Sequence, residues 1–125
     1  MKLRIKGNTL RLRLLRSEVA RFAHAGTVTD EIRFGPGTFD ALKYSITSSD
    51  GVEEVRAQFS DNQILILVPE STAMDWTSTD RVSIDATQAV TENTELSILI
   101  EKDFECRTRP DDPENADSFP NPTAC

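Results

Sequence analysis

The sequence predicts an α+β fold: an antiparallel, barrel-like or strongly curled sheet of about seven or eight strands with two short helices. Most segments of the 125 residues alternate between apolar and polar side chains, as half-buried strands do. Turn residues separate many of these segments. The order of element types uses a strand-helix-strands unit twice, and this order suits a curled sheet with helices at its ends.

Length and composition predict one domain. A chain of 125 residues with 38% hydrophobic residues can bury one sizeable core. We expect a single antiparallel β-rich domain at residues 1–103, and an irregular, acidic, proline-containing strap at 104–125. The start of the chain has no apolar leader, and no apolar run is long enough to cross a bilayer. We therefore expect a cytoplasmic protein without a membrane partner.

The start of the chain, "KLRIKGNTLRLRLL", predicts a β-hairpin. A two-residue turn at Gly7-Asn8 would pair Ile5 with Leu10. Apolar and basic residues alternate on both sides of this turn, so one face of the hairpin is apolar and the other is cationic. We call the basic residues of that second face the cationic row: Lys2, Arg4, Lys6, Arg11 and Arg13.

Two segments predict helices, near residues 17–25 and 70–78. In "SEVARFAHAG", Ser17 is a suitable N-cap, Glu18 suits the positive first turn, and Gly26 ends the helix. The second segment, "ESTAMDWTST", contains the sole tryptophan, Trp76, which we expect in the core.

The middle of the chain predicts a second hairpin and a central strand. Around Asp50-Gly51, alternating side chains would pair Ile46 with Val55. The segment "QILILVP" is apolar from its second to its sixth residue, which predicts a central strand buried on both faces. Further strands are expected within residues 27–34, 80–90 and 94–104.

Charge and composition exclude several classes of function. The net charge of −7 argues against broad nucleic-acid binding, which needs an extended basic footprint. The charge is uneven, however, because residues 1–16 carry six basic side chains and no acid, whereas the strap is rich in acids. An acidic partner or an anionic small molecule is therefore the expected kind of ligand, and the oligomeric state is open.

No motif predicts a catalytic, metal or cofactor site. The chain lacks G-x-S-x-G, P-loop and G-x-G-x-x-G patterns. The single histidine, His24, has no partner at zinc-binding spacing, and Cys106 and Cys125 form no C-x-x-C pair. We expect free thiols, no metal and no cofactor.

Both ends of the chain resemble a known family. The start "MKLRIKGNTLRLRL" with "SEV", and the end "ILIEKDFEC" with "FPNP", resemble a family of small bacterial proteins of about this length without an assigned function. This resemblance implies no activity and no cofactor.

The doubled strand-helix-strands order is similar in architecture to the CYTH, or triphosphate tunnel, barrels. That resemblance implies basic residues inside a barrel that hold phosphates, and an E-x-E-x-K pattern on the first strand that holds a metal. The matching stretch here is "KLRIK", residues 2–6, which keeps the last basic residue but has Lys2 and Arg4 at the two acidic positions.

The cationic row is the candidate functional site, because like charges opposite each other weaken a ladder unless something compensates them. A bound phosphate-like or carboxylate anion would do so. A lattice of exposed ion pairs with acids of neighbouring strands is the alternative; these acids are Asp85, Glu95, Glu101 and Asp103.

The leading functional hypothesis is a non-enzymatic module that uses the cationic row to bind an anionic small molecule or an acidic segment. One alternative is a divergent phosphohydrolase similar to the triphosphate tunnel enzymes. Another is a homo-oligomeric or adaptor protein without a small ligand.

Overall fold

The structure, a computed structural model, describes residues 1–104 of the chain. This part contains eight strands and two helices, α1 and α2. In chain order they are β1 (Lys2–Lys6), β2 (Thr9–Leu14), α1 (Arg16–Ala25), β3 (Thr27–Arg33), β4 (Ala41–Ser49), β5 (Arg56–Ser60), β6 (Gln63–Pro69), α2 (Glu70–Ser78), β7 (Ser83–Thr91) and β8 (Thr94–Lys102).

The strands form two separate four-stranded sheets, so the prediction of a single barrel-like or curled sheet is wrong. Sheet I has the order β1-β2-β8-β7, and sheet II has the order β3-β4-β6-β5. The two central strands of each sheet run parallel and the outer pairs run antiparallel. Both sheets are therefore mixed rather than antiparallel, while the α+β class, the strand number and the two helices agree with the prediction.

The chain uses a hairpin-helix-hairpin unit twice, and each sheet takes one hairpin from each unit. Strands β1 to β4 with α1 form the first unit, and strands β5 to β8 with α2 form the second. The predicted hairpin around Asp50-Gly51 is wrong for this reason, because β6 lies between β4 and β5. Ile46 is consequently paired with Ile66, rather than with Val55.

Strand β6 is central in sheet II, as predicted, but it is not buried on both faces. Ile66 and Val68 are buried, whereas Leu65 and Leu67 on the other face are half-buried. Its hairpin with β5 turns at Asp61-Asn62, whose φ angles are 50° and 60°. Aspartate and asparagine tolerate this left-handed conformation better than most residues.

One hydrophobic core joins both sheets and both helices. The rings of Phe22 in α1 and Trp76 in α2 meet edge to face, with centroids 6.2 Å apart. The indole of Trp76 is fully buried and donates a hydrogen bond of 3.0 Å to the carbonyl of Val82, so the expected core position is confirmed. Since α1 follows β2 and α2 follows β6, the two helices cover the same end of the core.

Helix α1 starts one residue before the predicted N-cap. The backbone N–H of Leu15 donates to the Glu18 carboxylate at 2.9 Å, and Gly26 ends the helix with a φ of 77°. Glu18 thus caps the helix in place of Ser17. Among the described residues, no helix has the length and apolarity to cross a membrane. The predicted strap lies outside the described part of the chain, except for Phe104.

Side chains, rather than backbone ladders, connect the edges of the two sheets. On one side, the N-terminal amine of Met1 pairs with Glu18 and, at 3.1 Å, with Asp30. On the other side, the Gln88 side chain of β7 accepts from the Ala57 N–H at 2.7 Å and donates to the Ala57 carbonyl at 3.0 Å. These two connections hold the edges together without closing the sheets into one barrel.

Candidate anion-binding face

The predicted β1-β2 hairpin is confirmed, with the predicted register. Lys2 lies opposite Arg13, Arg4 opposite Arg11, and Lys6 opposite Thr9. A glycine at the first turn position suits this tight hairpin, and Gly7 has a φ of 55°. The register places the basic side chains of both strands on one face of sheet I.

The cationic row lies on the outer face of sheet I. The residues that alternate with it on β2 are Leu10, Leu12 and Leu14, and all three are buried against sheet II. Lys2, Arg4 and Lys6 are exposed, and Arg11 and Arg13 are half-buried. The side chains between the sheets are apolar, and the row lies on the opposite face, so the row does not line a phosphate tunnel. The barrel that a tunnel-like phosphohydrolase requires is therefore not formed by residues 1–104.

Glu101 on β8 neutralises part of the row. Its Oε1 atom lies 2.6 Å from Nε of Arg11 and 3.4 Å from Nε of Arg13. Burial alone would raise the pKa of Glu101, but the hydrogen bond from Arg11 and the charges of Arg11 and Arg13 outweigh it and lower the pKa. Glu101 therefore stays ionised between the two guanidinium groups.

The predicted ion-pair lattice is present in part. Asp103 pairs with Lys2 at 3.0 Å. Asp85 is separated from the row, because Leu99 of β8 is paired with both Arg11 and Asp85. Glu95 meets the hairpin through its backbone, whose carbonyl accepts a hydrogen bond of 2.6 Å from the Asn8 amide. Two of the four expected acids, Glu101 and Asp103, thus pair with residues of the row, namely Lys2, Arg11 and Arg13.

A shallow depression of about 550 Å³ lies beside the turn of the hairpin. It brings together Arg4, Lys6 and Arg11, three residues of the cationic row. The rest of its lining consists of Gly7, Asn8, Thr9 and Leu99. Guanidinium groups donate two parallel hydrogen bonds to carboxylate or phosphate oxygens. The arrangement can therefore hold a small oxyanion against the sheet.

Sequence reasoning missed the other lining residues. The sequence predicts Asn8 in the turn, Thr9 opposite Lys6 and Leu99 within a strand, but it assigns none of them to the site. The parallel pairing of β2 with β8 places Leu99 beside Arg11. No local pattern indicates that pairing, since the two strands are far apart in the chain.

The remaining candidate residues do not join the row. His24 lies exposed in the last turn of α1. Cys106 and Cys125 lie outside the described residues. Within residues 1–104, no three histidine, cysteine, aspartate or glutamate side chains are grouped in a way that would hold a metal ion.

The fold and the row define a small two-sheet α+β protein whose candidate site is an outer sheet face. The family described as "Family of unknown function (DUF7009)" matches residues 1–123, and the chain belongs to this family. This agrees with the predicted family without an assigned function, and the match assigns no activity. No curated protein and no solved structure matches the chain.

Proposed function

We propose that this protein is a non-enzymatic binding module that holds an anionic group, phosphate-like or carboxylate, on the outer face of sheet I. The observation that carries the proposal is the meeting of Arg4, Lys6 and Arg11 in one depression. Among the described residues, the charged side chains that line this depression are all basic, in a chain with a net charge of −7.

The energetic argument starts from the ladder. Arg4 and Arg11 lie directly opposite each other, and like charges in such a pair destabilise it. Glu101 compensates Arg11, but it does so from the side of β8 and shares its carboxylate with Arg13. An anion in the depression would further reduce the repulsion between Arg4 and Arg11.

The expected affinity is modest. Hydrogen bonds to charged groups contribute about 1.5–3 kcal/mol each. Two or three of them contribute about 3–9 kcal/mol before the cost of association of at least about 4 kcal/mol, so a simple oxyanion should bind with a dissociation constant of roughly 1 mM or weaker. Binding should weaken with added salt, because the Debye length falls from about 30 Å at 0.01 M to about 8 Å at 0.15 M ionic strength.

A cytoplasmic location belongs to the same proposal. Two cysteines in 125 residues do not form the disulfide framework that is typical of small secreted domains. Free phosphate esters and carboxylates are abundant solutes in such a compartment, so a weak anion site there has many potential ligands.

A thermal-shift screen at low salt tests the proposal. The full chain is melted with phosphate, pyrophosphate, polyphosphate, nucleotides and dicarboxylates, each at several concentrations. We expect saturable stabilisation by at least one of these anions, and less stabilisation after sodium chloride is added. If none of these anions stabilises the chain at low salt, the proposal is refuted.

A further inference from the structure

An apolar pocket of about 210 Å³ lies between the two sheets, next to the turn of the β1-β2 hairpin. Its walls come from both sheets, and the apolar residues among them are Ile5, Leu10, Leu96, Ala57, Phe59 and Ile64. Both helices cover the other end of the core, where β2 and β6 end. The pocket is therefore at the end of the molecule that no helix of residues 1–104 covers.

Two inward-facing side chains at this pocket are unusually exposed. Ile5 is paired with buried Leu10 and shares its face, yet it is 60% exposed. Phe59 is paired with half-buried Ile64 and is 70% exposed. Alternation places both side chains toward the core, so their exposure marks an opening between the sheets rather than a solvated outer face. Exposed apolar groups grouped around a cavity are typical of ligand sites.

The apolar pocket and the cationic depression adjoin each other. Gly7, Asn8 and Thr9 line both of them. Lys6 is the last residue of β1, immediately before this turn, and it lines the depression. One narrow turn thus separates an apolar cavity from a group of basic side chains, and a single ligand molecule that extends over the turn would reach both.

We propose that the anion bound by the cationic row carries an aliphatic chain, so that the ligand is a medium-chain carboxylate. This inference rests on the proposed function and adds the chemistry of the rest of the ligand. The carboxylate contacts Arg4 and Lys6, and the chain passes the turn into the apolar pocket. An apolar cavity of about 150 Å³ holds benzene, so the observed volume suits a chain of about six to eight carbons.

The charge of the neighbouring face favours this ligand over a neutral apolar one. A neutral ligand would cover Ile5 and Phe59 but would leave the cationic row unused. A small oxyanion would contact the row but would leave the apolar opening exposed. A carboxylate with an aliphatic chain satisfies both surfaces, and each buried methylene should tighten binding by up to about fourfold.

The test is a calorimetric titration of the full chain with acetate, butanoate, hexanoate and octanoate at low salt. We expect the dissociation constant to fall about two- to fourfold for each added methylene, up to about eight carbons. Phe59→Ser should remove most of this chain-length dependence while acetate and pyrophosphate bind as before. Phe39→Ser is the matched control, because Phe39 is 79% exposed and lines neither the pocket nor the depression.

A second variant, Ala57→Leu, fills the pocket from the opposite wall and should weaken octanoate binding without affecting acetate. Circular dichroism verifies that each variant is folded. Equal affinities for all four carboxylates, with pyrophosphate still bound, would overturn this inference and leave the proposed function intact. Chain-length dependence that survives Phe59→Ser and Ala57→Leu would also overturn it. A failure of every anion to bind would overturn both proposals.

Discussion

Arg11 and Glu101 lie 90 residues apart in the chain, and their side chains are joined by a hydrogen bond of 2.6 Å from Nε to Oε1. This contact crosses the parallel pair of β2 and β8, where the hairpins of the two units meet in sheet I. The ion pair therefore stabilises the junction of the two units. Arg4 and Lys6 lie on β1, on the other side of β2 from this contact.

Replacing Glu101 by glutamine should lower the free energy of unfolding by about 1–2 kcal/mol, since two half-buried arginines lose a charged partner. In the wild type, the pKa of Glu101 is lowered in the folded state. The ionised carboxylate therefore stabilises the fold at pH values above its unfolded-state pKa, and this stabilisation is lost as the pH falls through its folded-state pKa. Urea denaturation from neutral to acidic pH measures both effects. The control is Glu95→Gln on the same strand, and equal effects of the two substitutions would contradict this account.

The N-terminal amine should make stability sensitive to alkaline pH. Burial lowers the pKa of the amine, but hydrogen bonds to Glu18 and Asp30 outweigh this effect and raise the pKa above 8.0. Because its pKa is raised, the protonated amine stabilises the fold fully at pH values below its unfolded-state pKa. This stabilisation is lost as the pH rises through its folded-state pKa. We expect the melting temperature to fall between about pH 8 and 10, because neutral amine no longer pairs with the two carboxylates.

Acetylation of the same amine should destabilise the fold at pH 7 by roughly 1–3 kcal/mol, because Glu18 then keeps a carboxylate oxygen without its partner. Asp30→Asn should reduce the loss of stability at alkaline pH, because it removes one of the two carboxylates that raise the pKa of the amine. Tyr44 donates a hydrogen bond to the Met1 carbonyl, and burial raises its pKa above 10.0, so its titration affects only higher pH. An unchanged melting temperature across this alkaline range would contradict the prediction.

Gln88→Ala should cost about 1–3 kcal/mol, because it removes two hydrogen bonds between β7 and β5 and leaves the backbone groups of Ala57 without these partners. Thermal denaturation of the variant measures this loss. Thr87→Ala, on the exposed face of the same strand, is the control. A loss no larger than that of the control would show that the Gln88 contact does not hold the sheets together.

Local sequence patterns predict some of the strand pairings of this fold but not the others. The turn at Gly7-Asn8 and the alternation beside it predict the β1-β2 register because both strands are adjacent in the chain. The same reasoning failed at Asp50-Gly51, since alternation specifies which face a residue occupies but not which strand lies next to it. The parallel pairs β2-β8 and β4-β6 join distant segments, and no short pattern indicates them.

The same limit applies to the candidate site. The cationic row follows directly from the hairpin, and Glu101 and Asp103 were among the acids expected beside it. Asp85 does not pair with the cationic row because Leu99 lies between Asp85 and Arg11. That position of Leu99 requires the parallel pairing of β8 with β2. The connection between the edges of the two sheets likewise depends on the Met1 amine and the Gln88 side chain, and no recognisable motif marks either of them.

Acidic residues of the C-terminal segment should compete with an external anion. Covalent attachment gives a tethered group an effective concentration that can reach the mM range. Neutralising four of these acids in the full chain should therefore raise pyrophosphate affinity about two- to fivefold, and unchanged affinity would exclude the competition. The four substitutions, all outside the described residues, are Asp111→Asn, Asp112→Asn, Glu114→Gln and Asp117→Asn.

The most direct test of the cationic row is a calorimetric titration of pyrophosphate at low salt into the wild-type chain, Arg4→Ala and Arg56→Ala. Arg56 is an exposed strand arginine of sheet II, so its variant has the same change in net charge. We predict saturable binding to the wild type and to Arg56→Ala, and binding at least about fivefold weaker to Arg4→Ala, as expected for loss of one charge-assisted contact. Equal binding by the two variants, or no saturable binding by the wild type, would contradict the proposed anion site.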